Sequence, residues 1–88
     1  MRVQLTENFI KDVERCGDQK LAARAFKVTQ DIAGIDSPLQ IPNFKKLKGT
    51  RNAFRIRIAD YRIGVLLEAD IVVFMRCLSR KDIYKVFP

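Results

Sequence analysis

The sequence predicts an α+β domain in which an N-terminal strand, a two-helix hairpin and a three-stranded antiparallel meander form a twisted sheet. Two segments of the first half carry apolar residues at helical spacing, and segments of the second half alternate polar and apolar residues. The chain has 88 residues, of which 48% are hydrophobic. One folded domain spanning residues 1–88 is therefore expected, without room for a second.

The first half predicts a strand and two capped helices. Polar and apolar residues alternate from Arg2 to Leu5, which is a strand pattern. Thr6 and Asp18 each precede a segment of helical spacing, and their side-chain oxygens can accept a hydrogen bond from a free backbone N–H of the next turn. Gly17 and Gly34 follow the two segments and are expected to end the helices.

The second half predicts a long loop followed by the meander. Prolines and a glycine indicate a loop from Ile35 to Asn52. The three strands are expected at Phe54–Ile58, Tyr61–Glu68 and Ile71–Leu78. Strict alternation in the first of these strands places Arg55 and Arg57 together on the face that points away from the core. The last ten residues are expected to form either a short helical turn or an extended end.

The composition excludes several classes of function. The chain has no histidine, so zinc sites and Ser–His or Cys–His nucleophiles are excluded, and no metal or cofactor is expected. No apolar run is long enough to span a membrane, and the N-terminus has no apolar signal core. A cytoplasmic protein with no membrane partner is expected, and its two cysteines are expected to be reduced thiols.

The positive charge is concentrated in the second half of the chain. Residues 1–44 carry six basic and six acidic residues, whereas residues 45–88 carry eleven basic and four acidic residues. The net charge of +7 therefore lies entirely in the second half. A one-sided field of this kind attracts polyanions, which favours a nucleic acid or an acidic protein as partner.

Several of these basic residues are expected to surround one face of the sheet. Arg55 and Arg57 share a strand face, Arg62 opens the next strand, and Arg76 and Arg80 lie near the end of the last one. Guanidinium groups bind phosphate oxygens in pairs and can stabilise the added charge of a phosphodiester transition state. An ordinary charged strand surface remains the alternative for the first two arginines, and an ion pair with an acid on a neighbouring strand remains the alternative for Arg76.

The chain resembles the RelE/ParE toxin superfamily of bacterial toxin–antitoxin systems over essentially its whole length. The matching segments, in order, are Phe44-Lys-Lys-Leu-Lys-Gly49, Phe54-Arg-Ile-Arg-Ile58, Asp60-Tyr-Arg-Ile-Gly64, Arg80-Lys-Asp-Ile-Tyr84 and the terminal Phe87-Pro88. The resemblance implies a RelE-like microbial ribonuclease-type fold. On the RelE branch it also implies a ribosome-dependent, metal-independent endonuclease that cuts mRNA and inhibits translation.

The resemblance further implies roles for individual residues. The catalytic roles fall on Arg55, Arg57, Arg62, Arg80 and Tyr84. Contacts to RNA or the ribosome are expected from Lys45, Lys46, Lys48, Arg51, Arg76 and Lys81. Relatives often have a histidine or lysine where a base is needed, but both strand positions here are arginine, which is a poor general base. The base is therefore unassigned, with the lysines as candidates.

The same resemblance implies partners and leaves two alternatives open. A cognate antitoxin is expected that is acidic and partly disordered. It is expected to lie over the sheet, where it either displaces the C-terminal tail or covers Arg55 and Arg80. The other expected partners are the ribosome and mRNA. The first alternative is a ParE-like inhibitor that binds DNA gyrase without nuclease chemistry. The second is a basic RNA-binding module without activity.

Overall fold

A computed structural model describes residues 1–88 as a five-stranded sheet with two helices on one face and a short third helix on the other. The strands are β1 (Arg2–Leu5), β2 (Phe44–Lys46), β3 (Ala53–Ile58), β4 (Tyr61–Glu68) and β5 (Ile71–Ser79), and the helices are α1 (Glu7–Arg15), α2 (Gln19–Ala33) and α3 (Ile83–Val86). The spatial order is β1-β5-β4-β3-β2, with β1 parallel to β5 and the other pairs antiparallel. The predicted α+β fold is confirmed. None of the helices combines the length and the hydrophobicity that a membrane span requires.

Both predicted helix caps are confirmed. The Thr6 hydroxyl accepts a hydrogen bond of 3.2 Å from the backbone N–H of Phe9 at the start of α1. The Asp18 carboxylate accepts from the N–H groups of Lys20 and Leu21 at 3.0 and 3.1 Å at the start of α2. These bonds satisfy donors that have no partner within the helix, so both helices begin where the sequence indicates.

The main core lies between the helix hairpin and one face of the sheet, called here the helix face. Its largest fully buried side chains are Phe9 of α1, Ile32 of α2 and Phe74 of β5. Ile56 and Ile63 are cross-strand partners on the same face and are also buried. The alternating residues of β3 and β4 therefore point toward the opposite face of the sheet.

The predicted loop from Ile35 to Asn52 is wrong in two places. Pro38–Gln40 forms a short 3-10 turn, and Phe44–Lys46 forms β2, which pairs with the outer edge of β3. A three-residue strand with two adjacent lysines shows no alternation, so its sequence carries no strand pattern. The stacked rings of Phe44 and Phe54, 4.3 Å apart between centroids, instead hold it through a tertiary contact.

The C-terminal tail forms α3, which was one of its two predicted alternatives, and it covers part of the face opposite the helix face. Ile83 and Phe87 are buried there against Ala53 of β3, with Leu66 and Leu78 packed around them. This second small core was not predicted, because the tail shows few apolar residues in sequence. It leaves the remaining part of that face open, and the open part is called here the open face.

A buried ion pair joins α1 to β5. Arg76 Nε and Nη2 donate to the two carboxylate oxygens of Asp12 at 2.7 and 3.1 Å, and the backbone N–H of Cys77 donates to the same carboxylate at 3.0 Å. Asp12 is only 9% exposed. The hydrogen bond that Arg76 donates to Asp12 is the main reason why the pKa of Arg76 is raised above its ordinary value.

Removing the Asp12 carboxylate should destabilise the fold strongly. Asp12→Ala leaves the Arg76 guanidinium and the Cys77 N–H without their partner, which should cost about 3 kcal/mol of unfolding free energy in urea titrations. Glu14→Ala, on the exposed side of the same helix, is the matched control and should change the stability by less than about 0.5 kcal/mol. Equal effects of the two substitutions would contradict a stabilising role for this pair.

The two cysteines are free thiols in different environments. Cys77 is 1% exposed and lies within the main core, whereas Cys16 is half-buried after α1. Burial, with a smaller contribution from Asp12, raises the pKa of Cys77 to about 12 from its ordinary 9.0. Because the thiolate is the reactive form, Cys77 is expected to be inert in the folded protein.

Thiol titration should therefore find one reactive cysteine in the native state at pH 8 and two after unfolding. The unfolded chain releases the Cys77 proton near pH 9, whereas the folded chain keeps it to about pH 12. The contribution of this thiol to stability is therefore complete below pH 9 and is lost as the pH rises from 9 to 12. Labelling of both thiols at equal rates in native protein would contradict the burial of Cys77.

Candidate functional site

Four basic side chains lie next to one another on the open face. Lys45 of β2 is the cross-strand partner of Arg55, and Arg57 is the cross-strand partner of Arg62. Arg55 and Arg57 are two residues apart on β3, so all four share one face of the sheet. These four residues are called here the cationic patch. Directly paired like charges on neighbouring strands repel, so this arrangement favours a bound anion.

Backbone carbonyl groups orient two of the arginines in the cationic patch without neutralising them. Arg55 Nη1 donates to the carbonyl oxygen of Asn43 at 3.4 Å. Arg62 Nη1 donates to the carbonyl oxygens of Ala59 and Tyr61 at 3.1 and 2.9 Å, so the side chain folds toward the β3–β4 turn. Both guanidinium groups keep their full charge and further N–H donors for a ligand.

Ion pairs are almost absent from the basic half of the chain. Of its eleven basic residues, only Arg76 and Lys85 form salt bridges, to Asp12 and Asp82. The nine without an acidic partner are Lys45, Lys46, Lys48, Arg51, Arg55, Arg57, Arg62, Arg80 and Lys81. Ion pairs within the structure therefore leave most of the positive charge of residues 45–88 without a neutralising partner.

Arg80 lies at the same end of the sheet as Arg57 and Arg62. Its backbone N–H donates to the carbonyl oxygen of Asp60 in the β3–β4 turn at 3.0 Å. Arg80 and Lys81 are the two central residues of a turn closed by a hydrogen bond from the Asp82 N–H to the Ser79 carbonyl at 3.0 Å. The side chains of Ser79 and Asp82 also bond to each other at 3.2 Å, so this turn holds both cations outward.

Tyr84 lies on the exposed side of α3. Its side chain is 53% exposed, whereas its neighbour Ile83 is fully buried. No hydrogen bond joins the Tyr84 hydroxyl to the arginines. The structure thus brings Arg55, Arg57 and Arg62 together, adds Arg80 at the edge of that group, and leaves Tyr84 accessible on the tail.

The remaining basic candidates lie in three other places. Lys46 is the cross-strand partner of Phe54 and shares the helix face, so it lies opposite to Lys45. Lys48 and Arg51 belong to the β2–β3 connection, at the other end of β3 from Arg57. Arg76 is engaged by its bidentate contact with Asp12. An ion pair was the alternative expected for it, but the acid lies on helix α1 and not on a neighbouring strand.

Gly64 explains how the tail reaches the sheet. Gly64 is the cross-strand partner of Arg55, and a Cβ atom built on it would lie only 2.6 Å from Phe87 Cδ2. The Phe87 ring therefore rests directly on the strand backbone, which only glycine permits. This contact places the end of the tail next to Arg55 of the cationic patch.

Sequence reasoning missed three residues that shape the site. Gly64 belongs to a segment that carries the family resemblance, but the sequence alone does not show why a glycine is needed there. Ser79 and Asp82 are spaced as Ser-x-x-Asp, a turn pattern that could have been recognised. The cross-strand pairing of Lys45 with Arg55 had no signal in the sequence, because it depends on the register of a strand that was not predicted.

A separate cleft of about 310 Å³ lies between α2, the segment from Ile35 to Asn43 and the end of β3. Its walls include Val28, Ile32 and Ile41, and Arg57 lies on its border. No cysteine, tyrosine or serine lines it. The cleft borders the cationic patch at Arg57 and contains no hydroxyl or thiol nucleophile. Nowhere in the chain do three side chains from the histidine, cysteine and carboxylate classes cluster.

Comparison with known proteins identifies relatives along the whole chain. No family model matches. Toxin RelE3 of Methanocaldococcus jannaschii is 33% identical, with all of both chains covered. The toxin–antitoxin complex RelB-RelE from Methanococcus jannaschii has a TM-score of 0.81 at 31% identity, covering 97% of this chain and 99% of the matched one. The RelE-RelB complex from Pyrococcus horikoshii has a TM-score of 0.71 at 18% identity, covering 90% and 93%, and shows the fold alone.

The fold and the unpaired cations of the open face define a small basic toxin of the RelE type. Full-length identity of 33% to a RelE toxin shows the relationship directly. The chain belongs to the RelE toxin family. The resemblance drawn from the sequence is confirmed, and the ParE-like alternative is not favoured, since the relatives are RelE toxins.

Substitution of Gly64 should loosen the tail. Gly64→Ala places a methyl group 2.6–2.8 Å from three atoms of the Phe87 ring, so the ring must move, at a cost of about 1–3 kcal/mol. Amide exchange at residues 83–87 should accelerate accordingly. Gly34→Ala is the matched control, because its nearest atoms lie at 3.6 Å and its backbone suits alanine. Unchanged amide exchange of the tail in the Gly64→Ala protein would contradict the role of the Gly64–Phe87 contact in holding the tail.

Proposed function

We propose that residues 1–88 form a single toxin domain that cuts mRNA on the ribosome and thereby inhibits translation. The observation that carries the proposal is the cationic patch, which holds four unpaired cations on adjacent positions of an open sheet face. The cationic patch itself contains no carboxylate, imidazole, hydroxyl or thiol group that could attack the phosphate. It can instead bind a phosphodiester and stabilise charge while the RNA supplies the attacking group.

The proposed reaction is an internal attack within the RNA. The 2′-hydroxyl of one nucleotide attacks the adjacent phosphorus atom, and the 5′-oxygen of the next nucleotide leaves. The phosphorane-like transition state carries more negative charge than the ground state, so cations aimed at it lower the barrier. Arg55, Arg57 and Arg62 are proposed to bind the phosphate oxygens, and Arg80 to contact the charge that develops at the edge of the cationic patch.

Neighbouring residues are proposed to position the RNA. Tyr84 is exposed and can stack on a base, which is a common way in which proteins bind single-stranded RNA. Lys48, Arg51 and Lys81 are exposed and unpaired, and we assign them to contacts with the RNA or ribosome backbone. We leave out Arg76, because Asp12 binds it, and Lys46, because it lies on the helix face.

A cognate antitoxin is proposed to silence the toxin. RelB is the antitoxin in the complex from Methanococcus jannaschii whose toxin resembles this chain. An acidic, partly disordered segment suits the charge of residues 45–88. Because Ile83 and Phe87 anchor the tail in a small core, covering of Arg55 and Arg80 is favoured over displacement of the tail.

Loss of Arg80 should abolish most of the activity without unfolding the protein. Arg80→Ala keeps the backbone hydrogen bond to Asp60 but removes a charged contact, and cleavage of mRNA in a cell-free translation reaction should slow by about 100- to 1,000-fold. Arg15→Ala, on the exposed surface of α1, is the matched control and should cut at the wild-type rate.

The same assay separates the alternatives. Cuts within translated mRNA support the proposed nuclease, whereas gyrase-dependent DNA breaks would indicate the ParE-like activity. RNA binding without either product would indicate a module that has lost its chemistry. An Arg80→Ala protein with wild-type circular dichroism and undiminished cutting would remove Arg80 from the mechanism.

A further inference from the structure

The cationic patch contains one side chain that can exchange a proton during a reaction. Three of its members are arginines, whose guanidinium groups stay protonated in proteins. Lys45 is the fourth, and an ammonium group can donate a proton to a neighbouring oxygen. This difference matters because the leaving 5′-oxygen of an RNA strand is a poor leaving group unless it is protonated.

The position of Lys45 is set by the pairing of β2 with β3. Lys45 lies directly across from Arg55, which places their Cβ atoms about 4.5–5.5 Å apart on the open face. It is exposed, and it forms neither a salt bridge nor a side-chain hydrogen bond. Its ammonium group is therefore free to reach an oxygen of a phosphate that Arg55 binds.

Other groups that exchange protons are less well placed. Asp82 is held by Ser79 and Lys85. Lys46 points to the helix face, because side chains alternate along β2. Lys81 lies at the turn after β5, beyond the edge of the cationic patch. Lys45 alone is both chemically competent and inside the group of arginines.

We propose that Lys45 is the general acid of the cleavage reaction, which rests on the function proposed above. The bond between the 2′-oxygen and phosphorus forms while the bond between phosphorus and the 5′-oxygen breaks. The proton of the 2′-hydroxyl passes to solvent, and the ammonium of Lys45 gives a proton to the departing 5′-oxygen. The lysine is then reprotonated from water. The products are a 2′,3′-cyclic phosphate and a 5′-hydroxyl, so atoms and charge balance.

The test uses the full chain on ribosomes programmed with a short mRNA, in single-turnover reactions with the protein in excess. Wild type, Lys45→Met, Lys45→Arg and Lys46→Met are compared on two substrates. One has the natural phosphodiester at the cut, and the other has sulfur in place of the 5′-bridging oxygen. Sulfur leaves as a thiolate without protonation, so it removes the need for an acid.

On the natural substrate, Lys45→Met and Lys45→Arg should both slow cleavage by about 100-fold or more, as expected for loss of a general acid. On the sulfur substrate, both variants should cut within a few-fold of wild type. Lys46→Met removes the same charge from the opposite face and should cut the natural substrate within about twofold of wild type. Thermal unfolding of each variant checks that the exposed substitutions leave the fold intact.

Three results would overturn the assignment. Wild-type rates for Lys45→Met would show that Lys45 takes no part, and full activity of Lys45→Arg would show that only its charge is needed. Equal slowing on both substrates would assign it to binding instead of proton transfer. Absence of cutting by the wild-type protein would overturn the proposed function itself. That outcome is read from the wild-type reaction alone, so it is distinguishable from failure of the Lys45 assignment.

Discussion

Repulsion among like charges is the constraint around which this small protein is built. Lys45 opposes Arg55 and Arg57 opposes Arg62, and each such pair costs up to about 1 kcal/mol relative to neutral side chains. Burial of apolar side chains on the helix face of the same strands offsets this cost, because the residues that alternate with the cations lie in the main core. A register slip of one residue would move an arginine into the core, so the register that crowds the cations is locked.

The tail covers apolar residues of the face opposite the helix face and leaves the charged residues of the open face uncovered. Phe87 rests on Gly64, which lies between the strand positions of Arg55 and Arg76 in one row of the sheet. On one side of that row Ala53 and Leu66 pack against the tail. On the other side Leu78 also packs against the tail, while its neighbours Arg57 and Arg62 carry no ion-pair partner. Folding of the last helix and formation of the site are therefore linked, because the same turn that starts α3 presents Arg80.

Much of the fold could be predicted because local signals agreed with the final structure. Thr6 and Asp18 cap helices as their side chains allow, and the alternation from Phe54 to Ile58 separates core from arginines. The rest depends on long-range register. A bulge in β5 opposite Gly64 and Val65 interrupts the alternation just before Arg76, and a bulge of this kind re-aims side chains. Pairing of that arginine with Asp12, 64 residues away, therefore had no local signal.

The shared face of the three arginines in the cationic patch could be predicted, whereas the place of Lys45 among them could not. Arg55, Arg57 and Arg62 belong to segments that carry the family resemblance, and their common face follows from strand geometry. Lys45 belongs to the same group only because an unpredicted strand pairs with β3. That pairing turns three arginines into a group that includes a proton donor, and the proposed cleavage depends on this proton donor.

The chemical identity of the new RNA ends tests this account most directly. mRNA recovered from a cell-free translation reaction with the purified protein can be analysed for the termini at each cut. Attack by the 2′-hydroxyl at a site built from cations predicts 2′,3′-cyclic phosphate on the upstream fragment and a 5′-hydroxyl on the downstream one. Upstream fragments that end in a 3′-hydroxyl, with phosphate on the downstream side, would contradict it, because water would then be the nucleophile.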